Sequence, residues 1–169
     1  MSESAPQTII IMGVSGSGKS LIGSMLAERL GGVFEDADDF HPASNKAKMS
    51  AGTPLTDEDR WPWYAILRQR ILEMRDKTPC YLLACSALKA AYRDKLRDDD
   101  APRNLAFVYL QGSRQLIGER IGARKGHFMP PALLDSQFAT LEEPVEDAIV
   151  VSVDGAPEEI VETVLGELR

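Results

Sequence analysis

The chain has 169 residues, of which 44% are hydrophobic and 27% charged, a composition typical of one globular domain with its own core. The formal net charge of −7 disfavours nucleic acid as a partner, so an anionic ligand must be met by a local cluster of basic residues. No apolar run is long enough to cross a bilayer and residues 1–7 lack the pattern of a signal peptide, so we expect a cytoplasmic protein without a membrane partner.

A glycine-rich motif separates the first predicted strand, residues 8–12, from a helical pattern of apolar residues over 22–30. It reads G-V-S-G-S-G-K-S and matches the P-loop of phosphate-binding proteins. Its glycines free backbone N–H groups for a polyphosphate, Lys19 can reach the β- and γ-phosphates, and the Ser20 hydroxyl can bind Mg²⁺. A dinucleotide-binding loop is disfavoured because the glycines do not fit G-x-G-x-x-G. The predicted phosphate-binding residues are Gly13, Val14, Ser15, Gly16, Ser17, Gly18, Lys19 and Ser20.

An acidic run follows the second predicted strand, residues 33–35. Parallel sheets bind ligands at the carboxyl ends of their strands, which is where Asp36 and Asp38 stand. Asp38 could accept a hydrogen bond from a substrate hydroxyl and take its proton, and Asp36 could sit near Mg²⁺. The two would share a face if the strand continued. The alternative is that these carboxylates only cap the next helix, a role that suits Asp39 better.

Two helices are predicted after this run. Residues 44–50 form a short helix that carries Lys48, although lysines on such a helix are most often a solvated face. Thr56 is expected to cap a long helix that runs to about Asp76, and Arg60, early on this helix, could point back toward the acidic run. The expected buried stripe of the long helix is Tyr64, Leu67, Ile71 and Met74.

The remaining strand-like runs lie at 80–85, 105–110 and 148–153. The first delivers Ser86 and has a cysteine at each end, and the odd spacing points the two thiols to opposite faces, so we expect them buried and reduced. Five such runs alternate with helices, which predicts an α/β protein whose parallel sheet has helices on both faces.

Basic residues cluster late in the chain. Arg120 and Arg124 lie one turn apart on a predicted helix that runs into Lys125, a glycine and His127. A glycine hinge beside basic residues fits a mobile lid over phosphates, which would exclude water, although a solvated face is the alternative for the arginines. A lone histidine is usually structural.

Seven sequence motifs, which span nearly the whole chain in order, carry a family resemblance. They are G-V-S-G-S-G-K-S at 13–20, D-A-D-D-F-H at 36–41, N-K-A-K-M-S-A-G-T-P-L-T-D-E-D-R at 45–60, C-S-A-L-K at 85–89, Y-R-D-K-L-R at 92–97, A-R-K-G-H-F at 123–128 and L-L-D-S-Q-F-A-T-L-E-E-P at 133–144. With these motifs the chain resembles the gluconate kinases, or gluconokinases, a group of small P-loop kinases. Ala37 departs from the pattern of that family, in which many members have glycine, but this change does not move Asp38.

This resemblance implies a three-layer α/β/α P-loop kinase fold, formed by residues 1–169 as a single domain. Its five-stranded parallel sheet would have the order 2-3-1-4-5, with a helical substrate-binding segment at 42–76 and a lid at 125–143. The implied reaction converts ATP and D-gluconate to ADP and 6-phosphogluconate with Mg²⁺, and such kinases are often dimers. Two alternatives stay open: a P-loop kinase of another small acceptor, such as shikimate, a nucleotide or another sugar acid, and a non-catalytic nucleotide-binding module that signals through its lid.

The resemblance also implies roles for individual residues. The P-loop would bind ATP, with Arg120 approaching the adenine and with Arg124 and Lys125 at the transferring phosphate. The implied catalytic residues are Lys19, Asp38 and Arg124, and the implied metal-binding residues are Ser20 and Asp36. The expected gluconate-binding residues are Asp38, His41, Lys48, Arg60, Ser86, His127 and Gln137.

Overall fold

A computed structural model describes residues 5–123, 131–144 and 146–168, and its strands form one parallel sheet. The strands are β1 (Thr8–Met12), β2 (Val33–Asp36), β3 (Tyr81–Ala84), β4 (Leu105–Gln111) and β5 (Ile149–Ser152). Their order is β2-β3-β1-β4-β5, and every neighbouring pair is parallel. The expected order 2-3-1-4-5 is therefore confirmed.

Helices connect the strands as the alternating pattern predicts. They are α1 (Lys19–Leu30), α2 (Ala43–Ser50), α3 (Asp57–Met74), α4 (Ala90–Arg97), α5 (Arg114–Ala123), α6 (Pro131–Thr140) and α7 (Pro157–Glu167), and a 3-10 turn covers Ala37–Phe40. The long helix α3 ends at Met74, slightly before the predicted end at Asp76. Among the helices of the described ranges, none is both long enough and apolar enough to cross a membrane.

The sheet separates two apolar layers, and β1 alternates between them. Ile10 and Met12 pack in the layer that contains α3 and α4, whereas Ile9 and Ile11 pack in the layer that contains α1 and α7. Burial of both faces explains why β1 is a continuous apolar run without polar alternation. The result is a three-layer α/β/α arrangement with the carboxyl ends of the strands free to form a site.

The two cysteines lie on opposite sides of the sheet, one in each apolar layer. Cys80 belongs to the layer of α1 and α7, Cys85 belongs to the layer of α3 and α4, and both thiols are buried and free. Burial raises the pKa of the Cys80 thiol to about 11 and that of Cys85 to about 12. The expectation of buried, unpaired thiols is confirmed, and neither is a ready nucleophile.

The start of α3 is closed by two reciprocal hydrogen bonds. The Thr56 hydroxyl accepts the Asp59 N–H at 3.2 Å, and the Asp59 carboxylate accepts the Thr56 N–H at 2.9 Å, so the two residues form a capping box. This confirms Thr56 as the predicted N-cap. The four residues of the expected stripe on α3 are all buried, with Leu67 and Ile71 fully so.

Candidate active site

The P-loop joins β1 to α1 at the carboxyl edge of the sheet, and close approach of neighbouring atoms requires glycine at two of its positions. Gly13 has φ +149°, and a Cβ there would lie 2.8 Å from the Ser17 Oγ. Gly16 has φ +82°, and a Cβ there would lie 2.5 Å from the Ile121 side chain. Since α1 begins at Lys19, the unpaired N–H groups of its first turn and the positive end of its dipole point at this loop. Such a loop favours an anion.

The Lys19 side chain lies across its own loop. Its Nζ donates to the Gly13 carbonyl at 2.9 Å and to the Val14 carbonyl at 3.0 Å. Burial lowers the pKa of Lys19, while nearby Cys85 and Asp38 oppose that shift. The ammonium group is therefore held where a bound polyphosphate would meet it. Among the described residues its hydrogen bonds go only to neutral carbonyls, which a phosphate can replace.

Asp36 uses both of its carboxylate oxygens. Its Oδ2 accepts the Ser20 hydroxyl at 3.1 Å, and its Oδ1 accepts the Asp38 N–H at 2.9 Å. The strand does not continue past Asp36, because this second bond caps a 3-10 turn, so Asp36 and Asp38 are not alternate residues of one strand. Asp36 is the capping carboxylate here, and the expectation that this role suits Asp39 is wrong: α2 has Pro42 at its N-cap.

Ser20 and Asp36 together suit a magnesium ion. A hydroxyl and a carboxylate are the hard oxygen ligands that Mg²⁺ prefers, and this ion usually completes its shell with phosphates and water. Within the described ranges no group of three or more histidine, cysteine or acidic side chains could hold a metal alone. The pair therefore fits an ion that arrives with a nucleotide better than a resident metal.

A cleft of about 200 Å³ gathers the predicted chemistry in one place. The Gly13 N–H donates to the Ser86 carbonyl at 3.3 Å, which ties the loop after β3 to the P-loop. The residues that line the cleft are Ser15, Gly16, Gly18, Lys19, Ser20, Leu21, Asp36, Asp38, Ala84, Cys85 and Ser86. The structure thus unites the P-loop, both acidic candidates and Ser86.

Asp38 presents its carboxylate to this cleft, with its side chain 82% exposed. Its Oδ1 lies 3.7 Å from Nε2 of His41. Contact with His41 is the largest cause that holds the pKa of Asp38 below its usual range, and Lys19 contributes further. Asp38 is therefore ionised near neutral pH and can accept a hydrogen bond from an incoming hydroxyl.

The two basic residues expected near gluconate are already paired. The Lys48 Nζ donates to both carboxylate oxygens of Asp59 at 2.8 Å. Arg60 donates to the Tyr92 hydroxyl at 3.1 Å and lies 3.6 Å from the Asp57 carboxylate. Arg60 is directed toward α4 and not toward the acidic run, so that expected orientation is wrong.

Gln137 is attached to the P-loop. The Ser15 N–H donates to Gln137 Oε1 at 2.6 Å, and Gln137 Nε2 donates to the Ser15 hydroxyl at 2.8 Å. The carboxamide therefore docks α6 onto the phosphate-binding loop. Arg120 lies partly buried on α5. Arg124, Lys125 and His127, and with them the first part of the expected lid, lie outside the described residues.

Two buried polar residues were missed by the sequence analysis. Asn45, on α2, is 2% exposed and contacts His41. Its position four residues after a histidine was the sequence signal that could have indicated this contact. Arg93, also 2% exposed, donates to the carbonyls of Ala87 and Glu142 at 2.8 Å. It braces the loop that carries Ser86, and its place beside the inward-facing Tyr92 could have indicated burial.

Comparison with known proteins gives consistent results. The family model described as shikimate kinase matches residues 15–169. A gluconokinase of Gluconobacter oxydans is 45% identical and covers 89% of this chain and 83% of its own. The thermoresistant gluconokinase of Escherichia coli is 43% identical, covering 95% of this chain and 92% of its own. The crystal structure of a gluconokinase from Sinorhizobium meliloti superposes with a TM-score of 0.86 at 47% identity, covering 96% of this chain and 91% of that one.

Proposed function

The chain belongs to the gluconokinase family of P-loop kinases, and on that basis we propose that it transfers the γ-phosphoryl group of ATP to D-gluconate. The products would be ADP and 6-phosphogluconate. The observation that carries the proposal is that the P-loop Lys19 and the exposed carboxylate of Asp38 line the same cleft and attract each other electrostatically. Phosphoryl transfer needs such positioning and charge neutralisation more than it needs covalent help.

The proposed step places Asp38 on the acceptor hydroxyl. As the hydroxyl oxygen forms its bond to the γ-phosphorus, the bond from that phosphorus to the β–γ bridging oxygen breaks and its electron pair leaves with ADP. The hydroxyl proton passes to Asp38, which the structure leaves ionised and exposed to the cleft. Lys19 would leave the loop carbonyls and neutralise charge on the phosphates.

The Ser20 hydroxyl and the Asp36 carboxylate would hold Mg²⁺. When bound, this ion neutralises phosphate charge and orients the transferring group. The support for this assignment is the 3.1 Å contact between the two oxygen ligands, which brings the end of β2 to the first turn of α1.

Arg60 is our candidate for the carboxylate of gluconate. It lies one turn before Tyr64 on α3, and Tyr64 interacts with the Cys85 thiol at the wall of the cleft. A guanidinium group can pair with a carboxylate through two hydrogen bonds, and Asp57 and the Tyr92 hydroxyl occupy it here. Lys48, Ser86 and Gln137 are proposed around the acceptor, and Arg120 near the adenine, from the family resemblance alone. In this structure Lys48 is bonded to Asp59 and Gln137 to Ser15.

The basic residues of the lid stay predictions, since Arg124, Lys125 and His127 fall outside the described ranges. The single-domain organisation is likewise proposed, and it is supported by one sheet that includes every described strand. A homodimer is proposed from the family resemblance alone, and light scattering on the purified protein would test it.

The test of function is ADP release from Mg-ATP with D-gluconate, compared with shikimate, glucose, other aldonates and no acceptor. We expect strong stimulation by gluconate alone, and a phosphorus NMR spectrum that assigns the product phosphate to the C6 oxygen. Lys19→Ala is the negative control, and it should fold normally because the residue lies at the edge of the sheet. Stimulation by another acceptor would reassign the substrate, and silence with every acceptor would favour a non-catalytic nucleotide-binding module.

A further inference from the structure

His41 lies behind Asp38 and not in the cleft. Its side chain is 4% exposed, and its ring stacks on Trp63 with 3.9 Å between ring centroids and an interplanar angle of 18°. The Trp63 indole N–H donates to the Ala37 carbonyl at 2.9 Å, so the stack is attached to the turn that carries Asp38. The plane of the imidazole is therefore set by packing before any ligand binds.

Asn45 determines which imidazole nitrogen carries the hydrogen. Its Nδ2 donates to the Asp59 carbonyl at 3.0 Å, and because a carbonyl only accepts, this contact orients the carboxamide. The same Nδ2 lies 3.3 Å from Nδ1 of His41. A donor that faces Nδ1 requires the lone pair there, so the hydrogen of the neutral ring lies on Nε2.

Nε2 is the nitrogen that faces Asp38. The distance to Oδ1 is 3.7 Å, longer than a hydrogen bond, and such contacts in ligand-free sites commonly tighten when substrate binds. Lys19, which belongs to the P-loop, also lowers the pKa of this carboxyl. The second oxygen of Asp38 is not the one nearest His41, so it remains available to the acceptor hydroxyl.

We propose that His41 is a positioning residue that donates from Nε2 to Asp38, and that Asn45 sets the tautomer that makes this donation available. The inference rests on the proposed role of Asp38 as the group that accepts the hydroxyl proton. It differs from the expectation that His41 binds gluconate, because a ring buried between Trp63 and Asn45 offers little surface to a substrate.

A matched pair of substitutions at His41 tests whether a donor at the Nε2 position supports catalysis. Glutamine places an amide nitrogen near the Nε2 position of histidine, whereas asparagine places it near Nδ1. His41→Asn should lower kcat about tenfold, the effect of one lost hydrogen bond to a charged group, with the KM values for gluconate and ATP within about twofold. His41→Gln should retain most of kcat. Equal loss in the two variants, or unchanged kcat in His41→Asn, would overturn the proposal, and so would a rise in the KM for gluconate with normal kcat.

Nitrogen-15 NMR of the imidazoles tests the tautomer directly. The chain has two histidines, and His41→Gln identifies the signals of His41 by their absence. We expect the Nε2–H tautomer in the native protein and a mixture in Asn45→Leu, with a parallel fall in kcat. Thr56→Ala removes the cap of the same turn of α3 without touching His41, so it should lower stability and leave both tautomer and kcat unchanged. An Nδ1–H tautomer in the native protein would overturn the proposal.

The kinetic and NMR results distinguish failure of the proposed kinase function from failure of the proposed role of His41. If the native protein releases no ADP in response to gluconate, the proposed function fails while the native NMR spectrum still decides the tautomer. If the native protein is active but His41→Asn and His41→Gln lose kcat equally, only the positioning role of His41 fails. If Asn45→Leu does not fold, the native spectrum and the two His41 variants still decide.

Discussion

The two carboxylate oxygens of Asp36, at the end of β2, connect the parts of the candidate site. One oxygen of Asp36 accepts the Ser20 hydroxyl and the other accepts the Asp38 N–H, so one carboxylate links the P-loop to the turn that presents the proposed base. A 3-10 turn follows because this bond closes it. Asp38 is thereby turned out of the strand and into the cleft, with most of its surface free.

Asp38→Asn is the substitution that tests the base. The amide keeps the size of the side chain but cannot take a proton, so we expect kcat to fall at least about 100-fold while the KM for ATP stays within about twofold. Steady-state kinetics with both substrates varied measures the effect.

The matched control for this prediction is Asp39→Asn, which makes the same change of charge at the next, exposed position and should keep normal kcat. A normal rate in Asp38→Asn would remove the residue from the mechanism. An equal loss in both variants would point to the charge of the acidic run as a whole.

The first turn of α3 connects this helix to α2. Asp59 closes the capping box with Thr56 and also holds Lys48 of α2, while its carbonyl accepts from Asn45. The substrate-binding segment expected at 42–76 is therefore two helices joined at one turn. The carbonyl of Asp59 thus holds Asn45 in contact with His41.

Thr56→Ala tests the contribution of this cap. Loss of a threonine N-cap costs about 1 kcal/mol, which in a chain of this size lowers Tm by about 2–4 °C. Thermal unfolding followed by circular dichroism measures the shift. The neighbouring Thr53→Ala is the control, because the Thr53 side chain makes no hydrogen bond among the described residues, and it should unfold at the native temperature. Equal Tm values for the two variants would contradict the prediction.

For the whole molecule, paired carboxylates link stability to pH. Contacts with basic or hydroxyl side chains lower the pKa values of several acidic groups that connect different elements. Asp59 is the clearest case: contact with Lys48, followed by the Thr56 N–H, lowers its pKa from 3.8 to about 2. A carboxyl whose pKa is lower in the folded state stabilises the fold above its ordinary pKa, and that contribution is lost as the pH falls toward the folded value.

Asp59→Asn should therefore be destabilising at pH 6, and its deficit in Tm should shrink as the pH falls from about 4 to about 2, where the native carboxyl also becomes protonated. Melting curves of both proteins across this range measure the difference. Asp99→Asn, in an exposed turn and without an ion pair among the described residues, should show no such convergence. A deficit that stays constant with pH would show that the cap geometry matters and the charge does not.

Most of the fold could be predicted from local pattern and from family resemblance. The strand at Thr8–Met12 was predicted with its observed bounds, because a continuous β-branched run that leads into a glycine-rich loop has few other interpretations. The opposite burial of Cys80 and Cys85 followed from the alternation of strand side chains alone. The order of the strands came from the resemblance, since local pattern does not decide which strands become neighbours.

Local sequence pattern was enough to predict the P-loop, the alternation of strands and helices and the acidic residues that follow the second strand, because each of these depends on residues close together in the chain. The partners of the long polar side chains depended instead on how distant elements pack together. Gln137 reaches Ser15 across 122 positions, and Arg93 reaches Glu142 across 49. Such contacts join residues that share no periodicity, so no local pattern records them. The side of Asp38 on which His41 lies was decided in the same way, by the packing of α2 and α3 around Trp63.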